Sequence, residues 1–144
     1  MRHITQQGLN LIKHFEGFSS NVYKCPAGLP TIGYGHLIKQ GEVLNSVTED
    51  EAEELLRHDV QVAEKAVLRL INIPLTDGQF DALVSFTFNL GSGSLQSSTL
   101  RRKVNRQEHD QAPIQLRRWV WSGGRKLKGL QLRRDAESTL YELG

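Results

Sequence analysis

Apolar residues recur at helical spacing in three parts of the chain. A stretch near the N-terminus predicts a short amphipathic helix over 5–16. The segment 80–90, FDALVSFTFNL, is apolar on nearly every side, which predicts a helix in the middle of a core. One stripe over 47–72 predicts a helix on the order of 35 Å long. The stripe consists of Ala52, Leu55, Leu56, Val60, Ala63, Val67 and Leu70.

Polar residues mark the starts of two of these helices. Thr48 with Glu51, and Thr76 with Gln79, have the spacing of capping boxes.

Residues 21–42 are instead rich in strand formers and glycine, which predicts a small antiparallel sheet with tight turns. Further short helices are predicted over 98–107, about 110–120 and 130–143, and SGGRKLKG at 122–129 predicts a loop.

These elements predict one α+β domain over 1–144, a length typical of a single domain. A β-rich lobe at about 17–60 would be joined by the long helix to a helical lobe. The helical lobe would comprise about 61–144 and the N-terminal helix. A cleft between two lobes is the usual place for a ligand, so we expect the active site there.

Composition and charge narrow the functional class. The chain is 38% hydrophobic and 24% charged, as in ordinary globular proteins. Its lone cysteine and five scattered histidines have no zinc spacing, so we expect neither metal nor cofactor. Eleven Lys and Arg face five Asp and Glu over 101–144, which would attract anionic surfaces. No nucleic-acid-binding motif accompanies them, so we expect no nucleic-acid partner.

Glu16, Cys25 and Thr31 could form a hydrolytic site. Glu16 falls at the predicted end of the first helix, before Gly17. Cys25 and Thr31 flank the turn segment PAGLP, and if they lie near each other across a hairpin, their side chains could share one face. An acid, a thiol and a hydroxyl that could hold a water suit acid-catalysed hydrolysis. A solvated helix end and an inert cysteine are the alternative interpretation.

The motifs bear a family resemblance. EG at 16–17, YKCPAGLPTIGYGH at 23–36, TEDEAEELLRHDV at 48–60 and LTDGQFDALVSFTFNLG at 75–91 resemble the phage lysozymes, or endolysins, of glycoside hydrolase family 24. STLRRKVN and LKGLQLRRDAE resemble the family more loosely. The family spacing is Glu, eight residues, Asp or Cys, five residues, Thr, which Glu16, Cys25 and Thr31 match. The resemblance implies a lysozyme-like fold.

The resemblance also implies an endolysin muramidase, which hydrolyses the β-1,4 bond between N-acetylmuramic acid and N-acetylglucosamine in bacterial peptidoglycan. Glu16 would be the general acid and Thr31 would hold the attacking water. Cys25 stands where many members carry Asp, and a free thiol is mostly neutral near neutral pH. Two mechanisms are open. In one, the Cys25 thiolate stabilises the cationic centre or attacks it; in the other, Cys25 is a mainly neutral side chain that lines the site, and Glu16 with the water held by Thr31 does most of the work.

Other matched positions suggest supporting roles. His36 is expected to pair with Asp59, which would raise the pKa of His36. Asn89 would bind substrate hydroxyl or N-acetyl groups, or else cap its helix. Arg133 and Arg134 are candidates for cations near the substrate or Glu16.

The location and partners follow from the same hypothesis. The N-terminus lacks a secretory pattern, and no apolar run approaches the roughly 18 residues of a spanning helix. We expect a monomer that stays in the host cytoplasm until a holin opens the membrane, and then acts on peptidoglycan in the periplasm or cell wall. The alternatives are a catalytically weak peptidoglycan-binding protein, the same enzyme acting on chitin-like polymers, and lysis partly by a basic, membrane-active C-terminal region.

Overall fold

The computed structural model describes residues 1–144, with eight helices, a three-stranded sheet and a two-stranded hairpin. This mixture of helices with a small antiparallel sheet confirms the predicted α+β class. The chain forms two compact units, which are Ile12–Gln61 and the pair of segments Met1–Leu11 and Val62–Gly144. None of the helices is long and apolar enough to cross a membrane.

The smaller unit, Ile12–Gln61, contains the sheet. It comprises the end of α1 (Gln6–Glu16), β1 (Ser19–Lys24), β2 (Pro30–Gly33), β3 (His36–Leu37) and α2 (Glu49–Asp59). The strands are antiparallel in the order β1-β2-β3. Gly33 has a φ of +67°, and a Cβ there would lie 3.0 Å from the Cβ of Ala52. Only glycine therefore suits this position, where α2 packs closely on β2.

The predicted helix over 47–72 is interrupted. It consists of α2 and α3 (Gln61–Leu70), separated at Val60. The capping box of Thr48 and Glu51 starts α2 as predicted. Val60 keeps right-handed helical dihedrals, but its ψ of −15° departs from the usual helical value and its N–H is shared between the carbonyls of Leu56 and His58. The apolar stripe continues through the interruption, which explains why the sequence predicts one helix.

The larger unit is built around α4 (Asp77–Leu90). The capping box of Thr76 and Gln79 is present, and Leu83 and Phe86 are fully buried. The prediction of a central core helix is therefore confirmed. Around it lie most of α3, α5 (Ser92–Ser97), α6 (Thr99–Asn105), α7 (Ala112–Leu116), β4 (Trp121–Ser122), β5 (Arg125–Lys126) and α8 (Lys128–Leu143).

The predicted loop at 122–129 is wrong. Trp121 pairs with Lys126 and Ser122 with Arg125, and α8 begins directly afterwards. Gly123 and Gly124 have φ values of +57° and +77°. Two successive positive φ values form the type of turn that matches the twist of paired strands. The two glycines therefore close a short β-hairpin.

Candidate active site

Glu16 is the last residue of α1, and its side chain is half-buried. The N–H of Gly17 donates to the carbonyl of Lys13 at 3.0 Å, and Gly17 has a φ of +74°, so the helix ends here. The carboxylate lies against the turn between β2 and β3. A Cβ added to Gly35 would be 2.9 Å from Glu16 Oε1, and Gly35 has a φ of +79°. The missing side chain at Gly35 leaves the space that the carboxylate occupies.

Cys25 and Thr31 lie at the other end of the β1–β2 hairpin. The Cys25 N–H donates to the Leu29 carbonyl at 3.0 Å, and the Gly28 N–H donates to the Cys25 carbonyl at 2.7 Å. Thr31 pairs with Tyr23 in the register and is only 2% exposed. Its hydroxyl donates to the Leu29 carbonyl at 3.0 Å, which leaves its oxygen able to accept a hydrogen bond.

The hairpin favours the ionised form of the Cys25 thiol. A backbone hydrogen bond from Leu29 lowers the pKa of Cys25, and this outweighs the opposing effect of partial burial. A backbone hydrogen bond from Ala27 lowers the pKa of Cys25 further, and so does the Thr31 hydroxyl when its single proton turns from the Leu29 carbonyl to the sulfur. Hydrogen bonds to the charged form stabilise that form, so more thiolate is present near neutral pH than in a free cysteine. The Cys25 residue is partly exposed.

The structure brings His36 and Asp59 together. Asp59 Oδ2 lies 2.7 Å from His36 Nδ1, and Glu42 Oε1 lies 3.0 Å from Nε2. Burial alone would lower the pKa of His36, but the hydrogen bonds and charges of Asp59 and Glu42 raise it overall. With a carboxylate at each ring nitrogen, the doubly protonated imidazolium can donate to both.

Sequence reasoning missed Glu42. Its carboxylate also accepts the N–H of Lys39 at 3.0 Å; this hydrogen bond is the largest cause that lowers the pKa of Glu42, followed by the hydrogen bond with His36. The sequence signal that could have indicated this contact is that Glu42 follows His36 by six residues and comes directly after Gly41.

Asn89, Arg133 and Arg134 lie in the larger unit. Arg134 is fully buried, and its guanidinium donates to Asn89 Oδ1 at 2.7 Å and lies 2.7 Å from Glu137 Oε1. Arg133 is also buried and donates to the carbonyl of Ser85 at 3.3 Å. Ser85 in turn donates to Glu137 Oε2 at 2.6 Å. The role of these three residues in substrate binding stays a prediction.

Two members of this network, Glu137 and Ser85, were not predicted. The spacing of Glu137 from the two arginines by three and four residues on α8 was the available signal, because such residues are neighbours on a helix. Nowhere in the chain do three or more His, Cys, Asp or Glu side chains form a group that could hold a metal ion.

Known proteins share this arrangement of elements. The phage lysozyme family model matches residues 13–137. The endolysin of Bacillus phage B103 is 42% identical over 143 residues, covering 98% of this chain and 54% of that protein. The chain spans about half the length of the first curated relatives it matches.

Solved structures have the same fold over nearly the whole chain. A P22 lysozyme variant is 32% identical, with a TM-score of 0.91 over 99% of each chain. The muramidase domain of SpmX from Asticaccaulis excentricus is 38% identical, with a TM-score of 0.87 over 97% of this chain and 98% of that one. The chain belongs to the phage lysozyme family.

Proposed function

We propose that this chain is an endolysin muramidase that hydrolyses the β-1,4 bond between N-acetylmuramic acid and N-acetylglucosamine in peptidoglycan. The observation that supports the proposal is that Glu16, Cys25 and Thr31, which have the sequence spacing of the family's catalytic residues, all lie in the smaller unit. Glu16 ends a helix against Gly35, while Cys25 and Thr31 meet at one end of the adjacent hairpin. Family membership and the names of the matched proteins, an endolysin and a muramidase domain, support the same activity.

Glu16 acts as the general acid in this proposal. Its carboxyl group protonates the glycosidic oxygen while the bond from that oxygen to the anomeric carbon breaks, and positive charge develops on the sugar. Gly35 positions the acid, because any larger residue would displace the carboxylate oxygen. Misplacing a catalytic group by about 1 Å can cost on the order of a hundredfold in rate.

Cys25 and Thr31 act on the cationic centre and on the water. The lowered pKa of Cys25 supports the thiolate form, whose negative charge stabilises the developing cation or attacks it to form a covalent intermediate. Thr31 is fixed by its bond to Leu29, so its hydroxyl oxygen can accept a hydrogen bond from the attacking water. Water finally adds to the anomeric carbon and gives up a proton to the thiolate, or it displaces the sulfur from a covalent intermediate and gives its proton to the Glu16 carboxylate. Either route produces a new reducing end.

Substrate contacts are proposed for Asn89. Its amide oxygen accepts from Arg134, which leaves the amide N–H groups for the hydroxyl or N-acetyl oxygens of a sugar. Arg133 and Arg134 are buried with Glu137. We therefore assign the two arginines to holding Asn89 and its helix in place, instead of the direct contact with substrate that the sequence suggests.

Clearing of peptidoglycan suspensions tests the activity. Glu16→Gln keeps the shape of the side chain and removes the transferable proton, so we expect clearing to stop. Glu54→Gln makes the same chemical change on the exposed side of α2 and should clear normally. A protein that binds the wall without clearing it, with or without Glu16, would instead be a catalytically weak binder.

The pH–rate profile separates the roles of Cys25. If a thiolate is required, Cys25→Ala should lose most of the rate, and Cys25→Asp should keep activity down to lower pH because a carboxyl ionises at lower pH than a thiol. Full activity of Cys25→Ala would assign Cys25 to a neutral wall.

The proposal extends to the oligomeric state of the protein and to its location in the host cell. We infer a monomer that is held in the host cytoplasm until a holin opens the membrane, on the strength of the likeness to phage endolysins. Co-expression with and without a holin, followed by cell fractionation and lysis timing, tests the route. Light scattering of the purified chain tests the monomeric state.

A further inference from the structure

The β4–β5 hairpin and the start of α8 form a continuous exposed segment. All nine residues from 121 to 129 are exposed. Three of them, Arg125, Lys126 and Lys128, are basic, and none is acidic. A groove beside the hairpin is also lined by Lys126, Lys128 and Leu132. We call this surface, made of residues 121–129 and Leu132, the hairpin patch.

The charges of the hairpin patch are not neutralised within the protein. None of Arg125, Lys126 and Lys128 forms an ion pair. The nearest acid along the groove is Asp135, which pairs with Arg117 at 3.0 Å. The patch therefore presents three uncompensated positive charges on one surface of the larger unit.

Large apolar side chains lie among these bases. Trp121 is 63% exposed, Leu132 is 52% exposed and Leu127 is 41% exposed. Trp121 pairs with Lys126 across the hairpin, so their side chains leave it on the same face. Trp119, only two residues earlier, instead packs its ring edge-to-face on Phe86, at 5.5 Å between ring centroids. The exposure of Trp121 is thus a property of the hairpin and not of the whole region.

We propose that the hairpin patch docks on the surface of a bilayer that contains anionic phospholipids. Tryptophan suits the headgroup region, where its indole is apolar with one polar N–H. Lysine and arginine can keep their stems near the apolar layer while their charges reach lipid phosphates. Exposed leucines favour a lipid surface over an anionic glycan, because sugars are bound mainly by hydrogen bonds and aromatic stacking. The proposal concerns docking of an intact bilayer, not its rupture.

Vesicle co-sedimentation of the full chain tests the docking. The probes are vesicles of phosphatidylcholine alone and of phosphatidylcholine mixed with phosphatidylglycerol. We expect binding only to the mixed vesicles, and loss of roughly fivefold in partitioning for each base removed. The triple variant Arg125→Gln, Lys126→Gln, Lys128→Gln should therefore lose well over tenfold. Trp121→Ser should also weaken binding several-fold.

Matched variants exclude a simple effect of net charge. The triple variant Lys65→Gln, Arg69→Gln, Arg106→Gln removes three exposed bases outside the patch and should keep most of the binding. Equal losses from the two triple variants would overturn the proposal. So would equal binding to both kinds of vesicle, or release of a dye trapped inside them at the protein concentrations that give binding. Circular dichroism confirms that each variant is folded.

Discussion

The strongest stability prediction concerns Asp59→Asn, which removes one of the two carboxylates that hold His36. His36 is only 4% exposed and has Asp59 at 2.7 Å and Glu42 at 3.0 Å. A hydrogen bond to a charged group contributes about 1.5–3 kcal/mol. Both carboxylates are partly open to solvent, which reduces this value, and Glu42 remains in the variant. We therefore expect a loss of about 1–2 kcal/mol in the free energy of unfolding.

The loss should depend on pH in one direction. Because folding raises the pKa of His36, the folded state binds its proton more tightly than the unfolded chain does. The resulting stabilisation is complete below the ordinary imidazole pKa and fades as pH rises through the raised folded-state pKa. The difference between wild type and Asp59→Asn should thus be largest at mildly acidic pH and should shrink at alkaline pH.

Urea unfolding at about pH 5.5 and about pH 9, on either side of the histidine titration, measures both free energies. Glu54→Gln is the matched control, since it removes an exposed carboxylate from the same helix and should change stability little at either pH. An equal loss at both pH values, or no loss at about pH 5.5, would refute the argument that a charged His36 is held by Asp59.

Three further substitutions test particular contacts. Gly35→Ala should lower the free energy of unfolding by about 1–2 kcal/mol because residue 35 has a positive φ, which urea unfolding measures. It should also lower the rate of peptidoglycan clearing, because the added Cβ displaces the Glu16 carboxylate. Glu137→Ala should cost about 3–5 kcal/mol because it leaves the buried Arg134 without its carboxylate, and a small shift in thermal midpoint would contradict this. Thr76→Ala removes the N-cap of α4 and should lower the free energy of unfolding by about 1 kcal/mol, which thermal unfolding measures.

Local signals in the sequence predicted local structure well. The capping boxes begin α2 and α4 where Thr48 and Thr76 indicated, because each box involves residues only three apart. The end of α1 at Glu16 likewise follows from Gly17, whose positive φ terminates the helix. The hairpin at Gly123 and Gly124 also had a local signal, but its strands are only two residues long and fully exposed, so they lack the alternation of a half-buried strand.

The contacts that require the fold could not be predicted in the same way. Glu42 contacts both His36 and the backbone N–H of Lys39, and the spacing along the chain does not indicate this pair of hydrogen bonds. Helical spacing places Arg134 beside Glu137, but it does not indicate that both are fully buried. Arginine and glutamate are rarely buried, so sequence reasoning places such a pair on the surface.

The fragments released from purified peptidoglycan show whether Glu16 is the general acid of a muramidase. If Glu16 is the general acid of a muramidase, wild type should release glycan fragments whose new reducing ends are N-acetylmuramic acid, as identified by reduction and mass spectrometry. Folded Glu16→Gln should release none. New reducing ends on N-acetylglucosamine, cleavage only of peptide bonds, or equal release by Glu16→Gln would rule out this role for Glu16.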